Sequence, residues 1–199
     1  YTLKDTWTLE LTSYAWNQLN TTVNSGQATL ALEHLWHSAV LYNGLMVVFG
    51  GFYPWTFRDS VWTLDLTSNI WNLIEINGTK PSKRFGHSSI VYAGHMVMFG
   101  GFPDNGVQPQ PQHWYNDAWA LNLTTYTWTE LDTSVTKPSG RYLHSSIIHN
   151  GQMLLYGGYA YDLAQRRSVA QNNIWVLDLM SYTWTKYRTN TFKRLDHST

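Results

Sequence analysis

The chain has 199 residues, 43% apolar and 16% aromatic, with thirteen basic residues balancing thirteen acidic ones and no cysteine. That size and apolar content suit one sizeable core or a few repeat units, and they exclude a disordered chain. Zero net charge without a basic run argues against nucleic acid, and the missing cysteines exclude disulfides, thiolate nucleophiles and cysteine-ligated zinc.

Charged residues make up only 13% of the chain, so packing rather than salt bridging is expected to hold it together. No apolar stretch reaches the ~18 residues needed to cross a bilayer. The opening segment YTLKDTWTLELTSYAW lacks the apolar core of a signal peptide, so any targeting segment is expected outside this chain.

In chain order, residues 1 to about 20 supply two strand-like runs around a polar turn, with Trp7 and Trp16 nine residues apart. The same tryptophan pair returns as Trp62/Trp71, Trp119/Trp128 and Trp175/Trp184. A period near 50 residues points to stacked units that bury their apolar faces only against neighbours.

Between the pairs, His37, His87 and His144 each stand 13 residues before a double glycine, at Gly50/Gly51, Gly100/Gly101 and Gly157/Gly158. The intervening texts HSAVLYNGLMVVFGG, HSSIVYAGHMVMFGG and HSSIIHNGQMLLYGG read as two short strands joined by Asn-Gly or Ala-Gly. Asn-Gly favours a tight hairpin, because a type I′ turn needs φ > 0 at both central residues.

The second half of each unit, VWTLDLTSNIWNLIEI, AWALNLTTYTWTELD and IWVLDLMSYTWTKY, again gives two runs around a polar turn. Period-two alternation in VWTLDL and IWVLDL marks strands with one buried face. Each unit is therefore expected to be four antiparallel strands, A to D, and no segment has a helical apolar period. The expected boundaries are a half blade at 1–20, full blades at 37–76, 87–131 and 144–187, and the start of a further blade at 193–199.

The order RFGH or RYLH, then Gly-Gly, then W-x8-W resembles the kelch repeat over nearly the whole chain. The resemblance implies an all-β propeller of four-stranded blades with strand A lining the central channel. It also implies that Arg84/His87 and Arg141/His144 brace the start of strand A by hydrogen bonding. The first full unit departs from the pattern, reading EHLWH without the arginine. Three and a half blades do not close a ring, so the remaining blades are expected from the parent chain or another chain.

No catalytic, cofactor or metal site is expected. Blade-equivalent histidines spread around a ring cannot converge on one ion, and the irregular His34, His37 and His113 lack carboxylate partners. Ser38, Ser88 and Ser145 beside the column histidines lack a nucleophile elbow. Some kelch propellers are copper-radical oxidases using a Tyr-Cys cross-link, which a chain without cysteine cannot form. The repeating Trp and Gly-Gly positions are expected to be structural.

What differs between units is the B-C loops, FYPWTFRDS, FPDNGVQPQPQHWYND and YAYDLAQRRSVAQNN. They carry Tyr53, Trp55, Phe57, Arg58, His113, Trp114, Tyr115, Tyr161, Arg166 and Arg167, types enriched at binding hot spots. Trp55 and Trp114 are the leading candidates for exposed anchors, and about half of the loop aromatics are expected to pack back on their blade. The D-A connections add Lys80, Lys83 and Lys137 to the same face.

These features predict a non-catalytic scaffold that binds a protein or peptide through its B-C and D-A face, with a glycan as another candidate ligand. The alternatives are a propeller enzyme whose catalytic residues lie outside this window, an intracellular adaptor, and a glycan-binding cell-surface module. Low charge and abundant Thr and Asn lean slightly toward an extracellular or cell-surface setting. The three sequons, Asn20, Asn77 and Asn122, are about as many as chance gives for this composition.

Overall fold

A computed structural model of the chain describes residues 5–24, 34–53, 56–104, 114–133 and 136–187. Every regular element among them is a β-strand. The first hairpin joins β1 (Thr6–Glu10) to β2 (Ala15–Leu19), and a short strand, β3 (Thr22–Val23), follows. The first full blade comprises β4 (Ser38–Tyr42), β5 (Leu45–Phe49), β6 (Val61–Asp65) and β7 (Ile70–Ile74), an antiparallel meander in sheet order. β3 adds a fifth strand to this sheet, parallel to β7 on its outer edge.

A two-residue strand β8 (Arg84–Phe85) leads into the second blade, β9 (Ser88–Tyr92) and β10 (His95–Phe99). β11 (Phe102–Pro103) pairs back onto β8, and β12 (Ala118–Asn122) and β13 (Trp128–Leu131) complete the sheet. The third blade repeats the scheme with β14 (Arg141–Tyr142), β15 (Ser145–His149), β16 (Gln152–Tyr156), β17 (Tyr159–Asp162), β18 (Arg167–Ala170), β19 (Ile174–Asp178) and β20 (Trp184–Tyr187). The innermost strands β4, β9 and β15 lie side by side, as strands lining a propeller channel do.

The turn chemistry follows the sequence. Asn43-Gly44, Ala93-Gly94 and Asn150-Gly151 hold φ between +46° and +77°, the type I′ geometry that twists with the strands. At the C-D turns, Asp65 Oδ1 accepts the Thr67 and Ser68 N–H groups, and Asn122 and Asp178 do the same at their equivalent positions. The fifth residue of each turn, Asn69, Tyr126 or Tyr182, sits in the left-handed region.

Alternation sends each strand's side chains to two seams. Val47 and Phe49 join Met96, Met98, Trp119 and Trp128 between the first and second blades. Val97 and Phe99 join Met153, Leu155, Trp175 and Trp184 between the second and third. Phe49 lies 4.8 Å from Trp128 and Phe99 lies 4.9 Å from Trp184, so the outer tryptophan of one blade packs on the inner strand pair of its predecessor. On the outer face of the first blade, Trp62 and Trp71 cluster with Val48 and Leu64, and Val23 from β3 packs onto them.

The first tryptophan pair breaks this rule. Trp7 is 47% exposed and Trp16 63%, because the β1–β2 hairpin stands as a sheet of two strands. The third blade is also open on one face. Ile147 and Tyr156 are 62% and 56% exposed, whereas their equivalents Ile90 and Phe99 are buried against a following blade.

Hydrogen bonds at the double glycines lock the seams. The Gly51 N–H donates to the Arg84 carbonyl of the next blade at 2.8 Å, and Gly101 donates to Arg141 likewise. All six glycines of the three pairs have positive φ. A Cβ on Gly100 would come within 2.8 Å of the Arg141 carbonyl, and one on Gly50 within 2.9 Å of the His87 ring. Glycine is required here by conformation and by the closeness of the next blade.

Arg84 and Arg141 are both fully buried and hydrogen-bonded within their own blades. Arg84 donates to the Gly100 carbonyl at 2.9 Å and bidentately to Asp117 at 2.7 and 2.9 Å. Arg141 repeats this with the Gly157 carbonyl and the neutral Asn173. In the first unit His34 replaces the arginine, and its Nδ1 reaches the matching Gly50 carbonyl at 2.7 Å.

The column histidines sit at the seams, each against the backbone and ring of the preceding blade's Phe49 or Phe99. Both are buried. His87 sets its ring edge-on against Phe49 of the preceding blade, and His144 does the same against Phe99. Burial drives the His87 pKa well below the ordinary range, helped by the charges of Arg84, His144 and His37, with the backbone of Phe49 opposing. Burial, together with Arg141, pushes His144 down to about 3, with the backbone of Phe99 opposing. Burial also lowers Arg141, whose side-chain partner Asn173 is neutral, to about 10.

Two outcomes follow from these seams. Asp117→Ala leaves Arg84 buried and unpaired, so urea denaturation should show a loss of about 3–5 kcal/mol, whereas Asn173→Ala should cost less. His87 and His144 are neutral when folded but take protons when unfolded, so their stabilisation is complete above pH ~6.5 and declines as pH falls toward 3. A His87→Asn/His144→Asn variant should flatten the wild-type loss of stability between pH 6.5 and 4, measured by thermal denaturation across pH; an unchanged slope refutes the assignment.

Candidate interaction site

On one side of the blades, the B-C and D-A connections come together through backbone pairing. Arg58 and Tyr115 each donate an N–H to the second glycine's carbonyl, Gly51 or Gly101, and their own carbonyls accept from the Arg84 and Arg141 N–H groups of the next blade. Gln171 donates to Gly158 in the same way. The loops are thereby tied down where they rejoin their blade.

The third B-C connection is not an irregular loop. β17 and β18 form a hairpin, and β17 also pairs with β14. Asp162 Oδ1 accepts the Ala164 and Gln165 N–H groups, and Arg166 holds φ at 50°. This is the C-D turn again. DLAQR matches DLTSN, NLTTY and DLMSY, so the hairpin had a signal in the sequence.

Between the connections runs a belt of aromatic rings crossing all three blades. Trp36 lies 5.1 Å from Phe85, Phe85 5.1 Å from Phe102, Phe102 5.2 Å from Tyr142, and Tyr142 5.0 Å from Trp114. Phe57 joins it through Phe52 and Phe85, each at 5.3 Å, and Tyr161 joins through Trp114 at 5.9 Å.

The belt changes several expectations. Trp114 is only 9% exposed, so it is not an exposed anchor; Phe102, Tyr142 and Tyr161 enclose it, and a Cβ on Gly140 would collide with its carbonyl. Tyr115 lies under the Arg84 guanidinium, 3.9 Å from its centre, a cation–π contact. Phe57 and Tyr161 are half-buried. Tyr53 and Arg58 stabilise their own loop, with the Tyr53 N–H donating to Thr56 and Arg58 donating to the Tyr53 carbonyl at 3.4 Å.

Arg166 and Arg167 are exposed on the β17–β18 hairpin. Trp55, His113 and the segment 193–199 lie outside the described residues. Two of the cationic side chains on this face are already engaged, Lys80 with Asp59 at 2.9 Å and Arg58 with the Tyr53 carbonyl. Lys83 remains exposed and Lys137 half-buried.

The residue that sequence reasoning missed is Trp36. It is 51% exposed and holds φ at +56°, a conformation that is a genuine outlier for a bulky residue. Gly86 and Leu143 are its equivalents, at +67° and +55°. The Gly86 N–H donates to the Trp36 carbonyl and the Leu143 N–H to the Gly86 carbonyl, at 2.8 and 2.7 Å, linking the blades in a chain beside the innermost strands. Leu143 is 45% exposed. The signal was the text itself: EHLWH and RYLH place Trp and Leu where RFGH has glycine.

No group of His, Asp and Glu among the described residues is arranged to hold a metal. No helix among them is long and apolar enough to cross a membrane.

Comparison with known proteins agrees with the repeat geometry. Residues 1–198 match the family model described as KLHDC2/KLHL20/DRC7 Kelch-repeats domain. Similar proteins include acyl-CoA-binding domain-containing protein 4 of Arabidopsis thaliana, 26% identical over 92% of this chain and 27% of that protein. Kelch domain-containing protein 3 of Homo sapiens is 28% identical over 75% of this chain and 39% of its own length. A kelch repeat-containing protein of Arthroderma benhamiae is 35% identical over 35% of this chain and 10% of its own. The chain thus spans only about a quarter to two fifths of the first relatives it matches. With blades, double glycines and family model in agreement, the chain belongs to the kelch-repeat family of β-propellers.

Proposed function

We propose that this kelch segment is a non-catalytic module that binds a protein partner through the face carrying the B-C and D-A connections. The observation that carries this reading is Trp36, a half-exposed tryptophan held in a strained backbone conformation on top of a supporting aromatic belt. Strain in a bulky residue costs of order 1–3 kcal/mol and persists where the surroundings over-determine it, which is common at binding sites. A rigid aromatic anchor, with exposed Leu143 at the equivalent position of the third blade, is also the composition of an interface hot spot.

The partner would meet a shallow apolar centre formed by Trp36 and Leu143, with Arg166 and Arg167 at one margin. A peptide or loop presenting an aliphatic or aromatic side chain suits this centre better than a purely acidic one, because Lys80 and Arg58 are already engaged. The remaining blades would come from the parent chain or another chain, and they would cover Ile147 and Tyr156.

Trp36→Gly separates binding from folding, since glycine occupies the equivalent position 86 in the same conformation. Relief of about 1–2 kcal/mol of left-handed strain should offset the lost ring packing, leaving the melting temperature within a few degrees of wild type. Capture of partners by the full-length parent protein, quantified by mass spectrometry, should fall about tenfold. Full capture by a folded Trp36→Gly protein refutes the proposed face.

A further inference from the structure

The two seams between blades are not filled equally. At the first seam, on the side of the A-B and C-D turns, Leu45, Ile74, Tyr42 and Tyr126 pack onto the buried cluster. At the second, the equivalent positions leave a cleft of about 290 Å³. Its walls are buried and apolar, formed by Val97, Ala120, Leu131 and Leu179. Its rim is polar, formed by Tyr92, His95 and Tyr182.

Two replacements distinguish this seam from the first. Ala120 stands where the first blade has Thr63, and His95 stands where it has Leu45. The first removes volume from the wall. The second turns an apolar lining side chain into a polar one.

His95 has a defined hydrogen-bonding character. Its Nδ1 lies 2.9 Å from the Ala93 carbonyl, which can only accept, so Nδ1 carries the proton. In the neutral ring Nε2 is then an acceptor, which the rim of the cleft can offer to a donated O–H or N–H. A cavity of roughly 150 Å³ lined by apolar side chains is large enough for benzene, so this cleft admits a substituted ring with room for its polar group.

We infer that the cleft between the second and third blades is a binding site for a small aromatic molecule carrying a hydrogen-bond donor, of the phenol class. The ring enters between Ala120 and Leu179, and its hydroxyl donates to His95 Nε2. This site lies on the side of the blades away from the B-C loops, so it is independent of the proposed partner face.

The probes are p-cresol and 4-methylanisole, which differ in the donor and by one methyl group. Titrated into the full chain and followed by methyl NMR, p-cresol should shift the Val97, Leu131 and Leu179 resonances saturably and bind about tenfold more tightly than 4-methylanisole. Ala120→Val, which introduces the residue found at the equivalent Val176, should weaken p-cresol about tenfold without lowering the melting temperature. His95→Leu, which introduces the residue at the equivalent Leu45, should make the two probes bind alike. Equal binding of both probes to the wild-type chain, shifts that map elsewhere, or undiminished binding to a folded Ala120→Val protein would overturn the assignment.

Discussion

The structure depends on one constraint: at the end of each blade's second strand, the backbone must pass within hydrogen-bonding distance of the next blade. The Gly51 and Gly101 N–H groups meet the Arg84 and Arg141 carbonyls there, and a Cβ on the preceding Gly50 or Gly100 would come within 2.8 Å of the same carbonyls. Once that distance is set, the arginine side chain must fold back under its own blade. It finds the carbonyl of the first glycine and a polar side chain two residues before the inner tryptophan. Each such side chain is therefore both a seam and a floor for the connection above it.

The polar partner can vary because the glycine carbonyl does not. Asp117 gives Arg84 a full ion pair, Asn173 gives Arg141 only a neutral acceptor, and His34 reaches the glycine carbonyl without a cation fork. The same economy appears at the C-D turns, where Asp65, Asn122 and Asp178 share one capping role. Asn122 accepts two turn N–H groups, which gives the NLT text a structural reason independent of any glycan.

Much of the fold was legible because its determinants are local or strictly periodic. Asn-Gly dictates its own turn, and the constant 13-residue step from His to Gly-Gly reflects two strands and a hairpin that cannot change length. The site was less legible because it depends on contacts between units. Trp114 reads as a loop tryptophan flanked by polar residues, but Tyr142 of the next blade and Tyr161 of the next connection bury it. Trp36 lies inside a motif that reads as structural, and its importance appears only when its φ angle is set beside that of Gly86. The β17–β18 hairpin could have been found, since DLAQR repeats the turn text of the blades.

The parallel pairing of β3 with β7 has a meaning beyond packing. The outermost strand of a blade offers a row of free N–H and C=O groups, a template on which another chain can build a sheet. In the first blade Thr22 and Asn24 occupy part of that row, donating to the Asn69 and Trp71 carbonyls. The segment that carries the chain between units thus also acts as a guard against unwanted strand addition, protecting the polypeptide from self-association along that edge.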